Sequence, residues 1–596
     1  MSSPSSVFDN WHYKHHFIFV KDEGKNICVQ CNLCKPKINH LSLSKMSTSN
    51  LLKHLRRKHA DSFDQINSKR PKKGESSKVN SLVLNFILEE VQSVSFLEQP
   101  SFRKLVEGLS GRPLAMDRAT LIAEVEKAFS NMKARLVGKL NTVQSVCTTA
   151  DIWTANNRSY FWMTCHWIDE SELVRKSAAL ACARLRGIHT YDSISAMIHE
   201  IHSSYNIENK VGTVVRDNGS HLVKAFKDFP VDGYDEDNGD MGIFEDVGTI
   251  LKGRCEEDVP LFLPSFQKCV CHLMSLIVTE DLLLAVSQSE SSQVYYSTMA
   301  KCSVLWNKAH HSQLALDTIQ DMGNMSSIVL SVFRWSLEYS IMQKIASLTE
   351  SQLSDVCTQL EMSELQAVEL AFLKEYVDVF KPLAFTLDLL QEEQHSFFGL
   401  VIPTLLTLKT KLTNKKAFSR FLPDVISAIL DAVDTSFQQL FVCPEAKLAT
   451  ATTPQFRLWW LPEAERDDMV KLLVAETAHL AIKQEFLEEF APINSMECQP
   501  IESEEFFCYG PGSESLDDPM AEVKKYLEGS NKSLGCLNEF PRVRKLFLKY
   551  NTTLTSSTAV LRLLSHKGKL TLQSNWQTDE YFQRVVTLQY NLKNGL

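Results

Sequence analysis

The amino-acid sequence predicts a multidomain α+β protein on three observations. A Cys/His cluster sits in a basic N-terminal stretch, strand and helix patterns alternate over residues 146–215, and helical periodicity runs almost unbroken from Glu280 to about Glu489. At 596 residues, with 44% apolar and 23% charged, the profile is that of a soluble globular chain of roughly three to five domains. No charge-free run of about 18 apolar residues occurs, and MSSPSSVFDNW lacks the apolar core of a signal peptide. An intracellular chain with no membrane partner and no small-molecule substrate is expected. Fifteen cysteines, odd in number and dilute, point to reduced thiols, some on a metal, rather than a disulfide scaffold.

Charge is uneven. Residues 1–78 hold 15 Lys and Arg against 6 Asp and Glu, a net of +9, and with the whole chain at −9 the remainder carries −18. The basic end is the candidate nucleic-acid end. It contains Cys31 and Cys34 in CNLC, then His54 and His59 separated by four residues, a Cys-x2-Cys plus His-x4-His arrangement that lets two thiolates and two imidazoles converge on one Zn²⁺. Cys28 offers a second Cys-x2-Cys register with Cys31; Cys31 with Cys34 is preferred because it leaves Ile27 and Val29 to a preceding strand. TSNLLKHLRRKH reads as a helix that Ser47, Thr48 or Ser49 can cap, with Leu51, Leu52 and Leu55 on its apolar face. KRPKKGESSK (Lys69 to Lys78) serves equally as a nuclear localisation signal or a solvated linker on charge alone.

Three helices are predicted between about Ser81 and Leu140, the middle one starting after Pro100 and stopping at Gly111. Cys147 to Asp169 reads as a hairpin with Asp151 near the end of its first strand, and Glu172 to Leu185 as a third strand. An amphipathic helix then presents Ile194, Met197, Ile198 and Ile201, and a short buried strand, Val211 to Val215, leads into Asp217. Each aspartate alone reads more readily as a turn residue than as a metal ligand. Residues 232–258 read as an exposed acidic loop without the spacing of a Ca²⁺ site. Near the C-terminus, Asp518 as cap, Pro519 at the first position and Gly529 at the stop mark another helix.

These motifs together resemble the hAT superfamily of transposases. Trp11, Phe17, Phe19 and SNLLKHLRRKH resemble a BED-type zinc finger, TTADIWT with RSYFWMTCHWID resembles the opening of an RNase H-like catalytic domain, and DNGSHLVKAF resembles its second acidic motif. Cys269 and His272 match a Cys-x2-His motif at the edge of that core, and read here as a packed strand-to-helix junction. Arg334-Trp335 and FRLWWLPEAE resemble landmarks of a large all-α insertion that interrupts the core, and the last block resembles the C-terminal dimerisation region. The resemblance implies a finger over 1–62, a basic linker over 63–80, a helical domain over 81–140, the first part of the core over 141–278, the insertion over 279–494, an acidic linker over 495–518, and over 519–596 a region that completes the core and dimerises.

The resemblance also implies roles. In the finger, Ser49, Asn50 and Lys53 would face bases or nearby phosphates of double-stranded DNA, and Arg56, Arg57 and Lys58 phosphates. In the core, Asp151 and Asp217 would be two of three metal-binding carboxylates, but the position of the third acid holds Leu561, and no Asp or Glu occurs between Glu539 and Asp579. A leucine supplies no lone pair to a hard cation. Leu564 and Ser574 also depart from the family pattern. The sequence therefore points to a nuclear, homodimeric, DNA-binding transcription or chromatin regulator without transposase activity. The alternative is an active transposase drawing its third ligand from elsewhere in the chain. Self-association is expected because Val543, Leu546, Phe547, Val585 and Leu588 need a covering surface, in cis or from a second subunit.

Overall fold

The computed structural model describes residues 8, 11, 13–45, 47–60, 73–155, 158–187, 190–216, 243–245, 264–311, 334–392, 394–489, 518–556 and 578–595. It divides into two compact units, residues 1–87 with 95–121 and residues 88–94 with 122–596.

In the first unit, β1 (Phe17–Glu23), β2 (Asn26–Cys31) and β3 (His40–Ser44) form an antiparallel sheet with β2 central. Gly24, at φ +80°, makes the β1–β2 reversal and donates its N–H to Asp22 Oδ1 at 2.9 Å. Helix α1 (Ser49–Lys58) buries Leu51 and Leu55 against Phe8, Tyr13, Phe17, Ile27, Val29, Cys31 and Leu43. Phe19 does not join this core: it is 54% exposed on β1, an edge strand. Helix α2 (Lys73–Glu89) begins eight residues before Ser81, so the end of the predicted linker is helical; GESSK carries no apolar periodicity to announce it. Helix α3 (Pro100–Ser110) stops where expected, with Gly111 at φ +70° as its left-handed cap, and takes in Pro100 as its first residue after the cap Gln99.

The second unit takes in most of α4 (Arg118–Thr142) and a six-stranded mixed sheet. Strands β4 (Val146–Ala155), β5 (Arg158–Ile168) and β6 (Arg175–Leu185) are antiparallel neighbours. Helix α5 (Tyr191–Ser204), capped reciprocally by Thr190 and Ser193, crosses to β7 (Val211–Arg216), which lies parallel to β4. The acidic stretch read as a loop contributes β8 (Ile243–Glu245), whose Ile-Phe pair finds the backbone of Ile152–Thr154, and β9 (Ser265–Lys268) completes the order β6-β5-β4-β7-β9.

From β9 onward the described elements are helical. Helix α6 (Val270–Leu276) passes through a π-helical turn, Ile277–Asp281, into α7 (Leu282–Gln288). There follow α8 (Ser292–His311), α9 (Arg334–Ser347), α10 (Glu350–Gln359), α11 (Ala367–Gln391), α12 (Val401–Lys416), α13 (Pro423–Val442), α14 (Pro444–Ala451) and α15 (Glu463–Glu489), then α16 (Pro519–Glu528), α17 (Pro541–Asn551) and α18 (Asp579–Lys593). Two stretches, Val270–Gln288 and Pro423–Val442, are long and apolar enough to cross a membrane. Packing accounts for that apolarity: Ile277, Val278, Leu282, Ile426, Ile429 and Val433 belong to one buried cluster.

That cluster joins Cys147 and Val215 of the sheet to Phe372 and Phe380 of α11 and to Tyr526, Leu546 and Phe547 near the C-terminus. Helix α18 lies on the sheet, with Phe582, Val586 and Tyr590 against Tyr160, Trp162 and Cys182. Val543, Leu546, Phe547, Val585 and Leu588 are therefore all buried within the chain itself, which removes the uncovered surface on which self-association was expected. Polar side chains finish the assembly. The Arg175 guanidinium, fully enclosed, donates to the carbonyls of Ser396, Asn551, Thr552 and Thr553, tying β6 to the end of α17. On α18, Asn591 bonds both backbone groups of Ala179 at 2.7 and 3.0 Å, beside a bulge in the β5–β6 ladder.

Candidate metal centre and nucleic-acid interface

The metal-capable residues of the first unit converge from three elements. Cys31 ends β2, Cys34 closes the short turn after it, His54 lies within α1, and His59 just beyond α1. Five residues on a continuous helix would leave His59 about 140° around the axis from His54. The helix instead stops at Lys58, and His59 turns back at φ −137° while its N–H still bonds Leu55 O at 2.9 Å. The ligand atoms all lie within 4.8 Å of one another. Cys34 Sγ is 3.4 Å from His54 Nε2 and 3.1 Å from His59 Nε2, and Cys31 Sγ is 3.7 Å from His59 Nε2. A tetrahedral zinc ion with bonds of about 2.0–2.3 Å sets its ligand atoms roughly 3.3–3.8 Å apart, so the soft two-thiolate, two-imidazole set fits Zn²⁺. Burial, with His59 and Lys58 adding to it, lowers the His54 pKa and favours the neutral imidazole that a metal takes. Bound zinc would supply structure, cross-linking the β2 knuckle to α1. Cys28, paired with Ser42 on β3, stays outside the cluster, as the preferred register required.

All six predicted DNA-facing residues are exposed. At 100° per residue, Ser49, Asn50, Lys53, Arg56 and Arg57 fall within about 120° of the α1 surface, opposite Leu51 and Leu55, whereas Lys58 points elsewhere. Thr48 occupies the cap position without a side-chain bond; the hydroxyl of Ser47 instead receives the Ser49 N–H at 3.4 Å.

In the second unit Asp151 is buried on β4, directly opposite Trp162 of β5. Opposed residues of an antiparallel pair share a face, so Asp151 lies on the face that α18 covers. Strand β7 ends in register at Arg216, paired with Ala150; Asp217 lies outside the described residues, as do Leu561, Leu564 and Ser574. Cys269 caps α6, its Sγ accepting the His272 N–H at 3.4 Å, and both side chains are buried at the junction of β9 and α6. Among the described residues they belong to no three-ligand cluster. The carbonyl of Thr555 receives the N–H groups of Val270 and Cys271 at 3.0 and 3.3 Å, seating the segment before Leu561 on the same junction. No local pattern announces that pairing, which spans almost 300 residues.

Residues 12–60 match the family model for the BED zinc finger, and residues 149–230 that for the ZBED1 RNase-like domain. The chain is 25% identical over 321 residues to a putative AC transposase and to a putative AC9 transposase, both of Zea mays; the match covers 50% of this chain and 37% and 36% of those relatives. The chain is therefore similar to ZBED-like proteins and to hAT-type transposases. The chain thus spans little more than a third of the length of the curated relatives it matches. The finger match encloses all four metal-capable residues, and the RNase-like match encloses Asp151 and Asp217.

Proposed function

We propose that this ZBED-like chain is a nuclear DNA-binding protein, a domesticated transposase acting as a transcription or chromatin regulator without transposase activity. The observation that carries the reading is the α1 surface: five polar or basic side chains on one exposed arc of a helix that a four-ligand zinc cluster would fix in place. The large positive excess before residue 79 supports it, because Lys and Arg contacts to phosphates supply most sequence-independent affinity. Loss of cleavage rests on Leu561 and on the absence of any acid between Glu539 and Asp579, which leaves the centre implied by Asp151 and Asp217 one carboxylate short. Nuclear placement follows from DNA as the partner, with Lys69 to Lys78 as the candidate signal. A homodimer through 519–596 rests on the family resemblance alone.

Selection of bound duplexes from a random pool, using zinc-loaded full-length protein, tests the reading. Enrichment of one sequence motif that disappears with Asn50→Ala and Lys53→Ala is the expected outcome; recovery of no enriched motif overturns sequence-specific binding through α1. Sedimentation equilibrium at micromolar concentration decides the dimer.

A further inference from the structure

Three arginines meet one carboxylate at the edge of the RNase-like sheet. Arg158 opens β5, Arg184 lies near the end of β6, and Arg186 follows it; all three approach Asp579, the first residue of α18. Arg158 Nη1 is 3.7 Å from Oδ1, while Arg184 Nε and Arg186 Nη2 are 3.8 and 3.5 Å from Oδ2. A committed charge-assisted bond would close to about 2.8 Å, and the short contact to Asp579 here is the Tyr160 hydroxyl at 3.2 Å. Arg184 is the structural member, 17% exposed, donating to Ser159 O and lying over the Tyr160 ring. Arg158 and Arg186 are 50% and 76% exposed. Three guanidiniums against Asp579 leave an excess of positive charge, even when the exposed Glu580 beside it is counted, in a body that is otherwise strongly acidic.

The register of the sheet gives this charge a direction. Arg158, Tyr160 and Trp162 alternate onto one face of β5, and Tyr160 pairs with Arg184, Trp162 with Cys182. That is the face carrying Asp151, which is paired with Trp162. Four residues along β4 separate Asp151 from Ala155, the partner of Arg158, or about 13 Å of strand. The arginines and Asp151 therefore occupy one face and one end of the sheet. We infer that Arg158 and Arg186, braced by Arg184 and Asp579, form a second nucleic-acid contact, binding the phosphodiester backbone independently of its sequence. A guanidinium fork matches two phosphate oxygens, and phosphate would take the donors that a single carboxylate leaves over. The contact needs no carboxylate centre, so it survives the replacement at position 561. It shares with the proposed function the premise that DNA is the partner, but not the premise that the finger holds it.

Duplex binding by full-length protein, followed as log affinity against log salt, tests the inference in wild type, Arg158→Ala/Arg186→Ala, Arg158→Lys/Arg186→Lys and Cys34→Ser. Each phosphate contact contributes about 0.9 to the slope, so the double alanine variant should lose about 1.8 while the charge-keeping lysine variant stays near wild type. An unchanged slope in the double alanine variant, with its melting temperature altered, reduces the arginines to braces of α18 and overturns the inference while leaving the finger reading intact. Equal binding by Cys34→Ser and wild type, lost in the double alanine variant, overturns the finger reading and keeps the arginine site. Failure of wild type to bind duplex DNA defeats both.

Discussion

The finger's core is nine buried side chains, from Phe8 to Leu55, wrapped around one Cys/His cluster, whereas the body's main core runs from Cys147 to Leu554 with no such cluster among its described residues. Full burial of an apolar side chain contributes about 1.5–3 kcal/mol, but ordering each residue costs about as much, and a module this small is left with little surplus. In the finger the residues that would hold the metal therefore also hold the fold, so recognition and stability stand or fall together. In the body the main core of described residues is apolar and contains no such cluster, so on the proposed reading an acid could be lost from the chain without loss of that core. On that reading, one chain keeps a fold while losing its chemistry because that chemistry never carried the fold.

The sharpest way to break this comparison is to remove the zinc ligands. Cys34→Ser should abolish the folded finger, since structural zinc contributes about 10–16 kcal/mol, while shifting the body's melting by less than about 0.5 kcal/mol. Amide hydrogen exchange reads both regions in one sample; protection retained across 17–58 would refute the contrast. Next in size is Arg175→Met, which orphans carbonyls of Ser396 and Asn551 to Thr553 and should cost the body about 3 kcal/mol without changing zinc content. Denaturant titration with a metal assay checks this.

The finger was almost fully legible because its ligand spacings are local and chemically restrictive: Cys31, Cys34, His54 and His59 all meet. The turn-back of His59 was not, because a helix break at Lys58 depends on where the cluster sits. The hairpin, β6, α5 and β7 were legible from β-rich runs and helical spacing. Strand β8 was hidden in an acidic stretch, since three residues carry too little pattern, and only the free edge of Ile152–Thr154 gives them a partner. The burial of Val543, Phe547, Val585 and Leu588 was equally hidden: apolar helix faces look the same whether the chain or a second copy covers them. Arg175, Asn591 and Thr555 act across hundreds of residues, beyond the reach of any local reading.

A third prediction uses acid. His166, enclosed and bonded to Thr164 at 2.7 Å, has its pKa lowered to about 3 by burial and then by Arg175. His202, bonded to Thr148 at 3.2 Å, is lowered to about 4 by burial, with Glu208 opposing and His199 adding. Both are neutral in the fold and protonate near 6.5 when unfolded, so their contribution is complete above about pH 6.5 and is lost as pH falls towards 4 and 3, at up to roughly 1.4 kcal/mol per pH unit each. Denaturation at pH 7 and 5 should show the body losing stability over this interval and His202→Gln flattening the loss. The smallest expected effect separates two neighbours on α1: Arg57→Ala should lower the salt slope of DNA binding by about one, and Lys58→Ala by much less, because only Arg57 lies on the exposed arc.

The central claim, a DNA-binding fold whose cleavage chemistry is gone, is tested most directly by incubating zinc-loaded full-length protein with end-labelled duplex DNA and Mn²⁺, and resolving the strands under denaturing conditions. A retarded complex whose strands remain intact, indistinguishable from Asp151→Asn, is the expected result. Strand breaks formed by the wild type and lost in Asp151→Asn would contradict it.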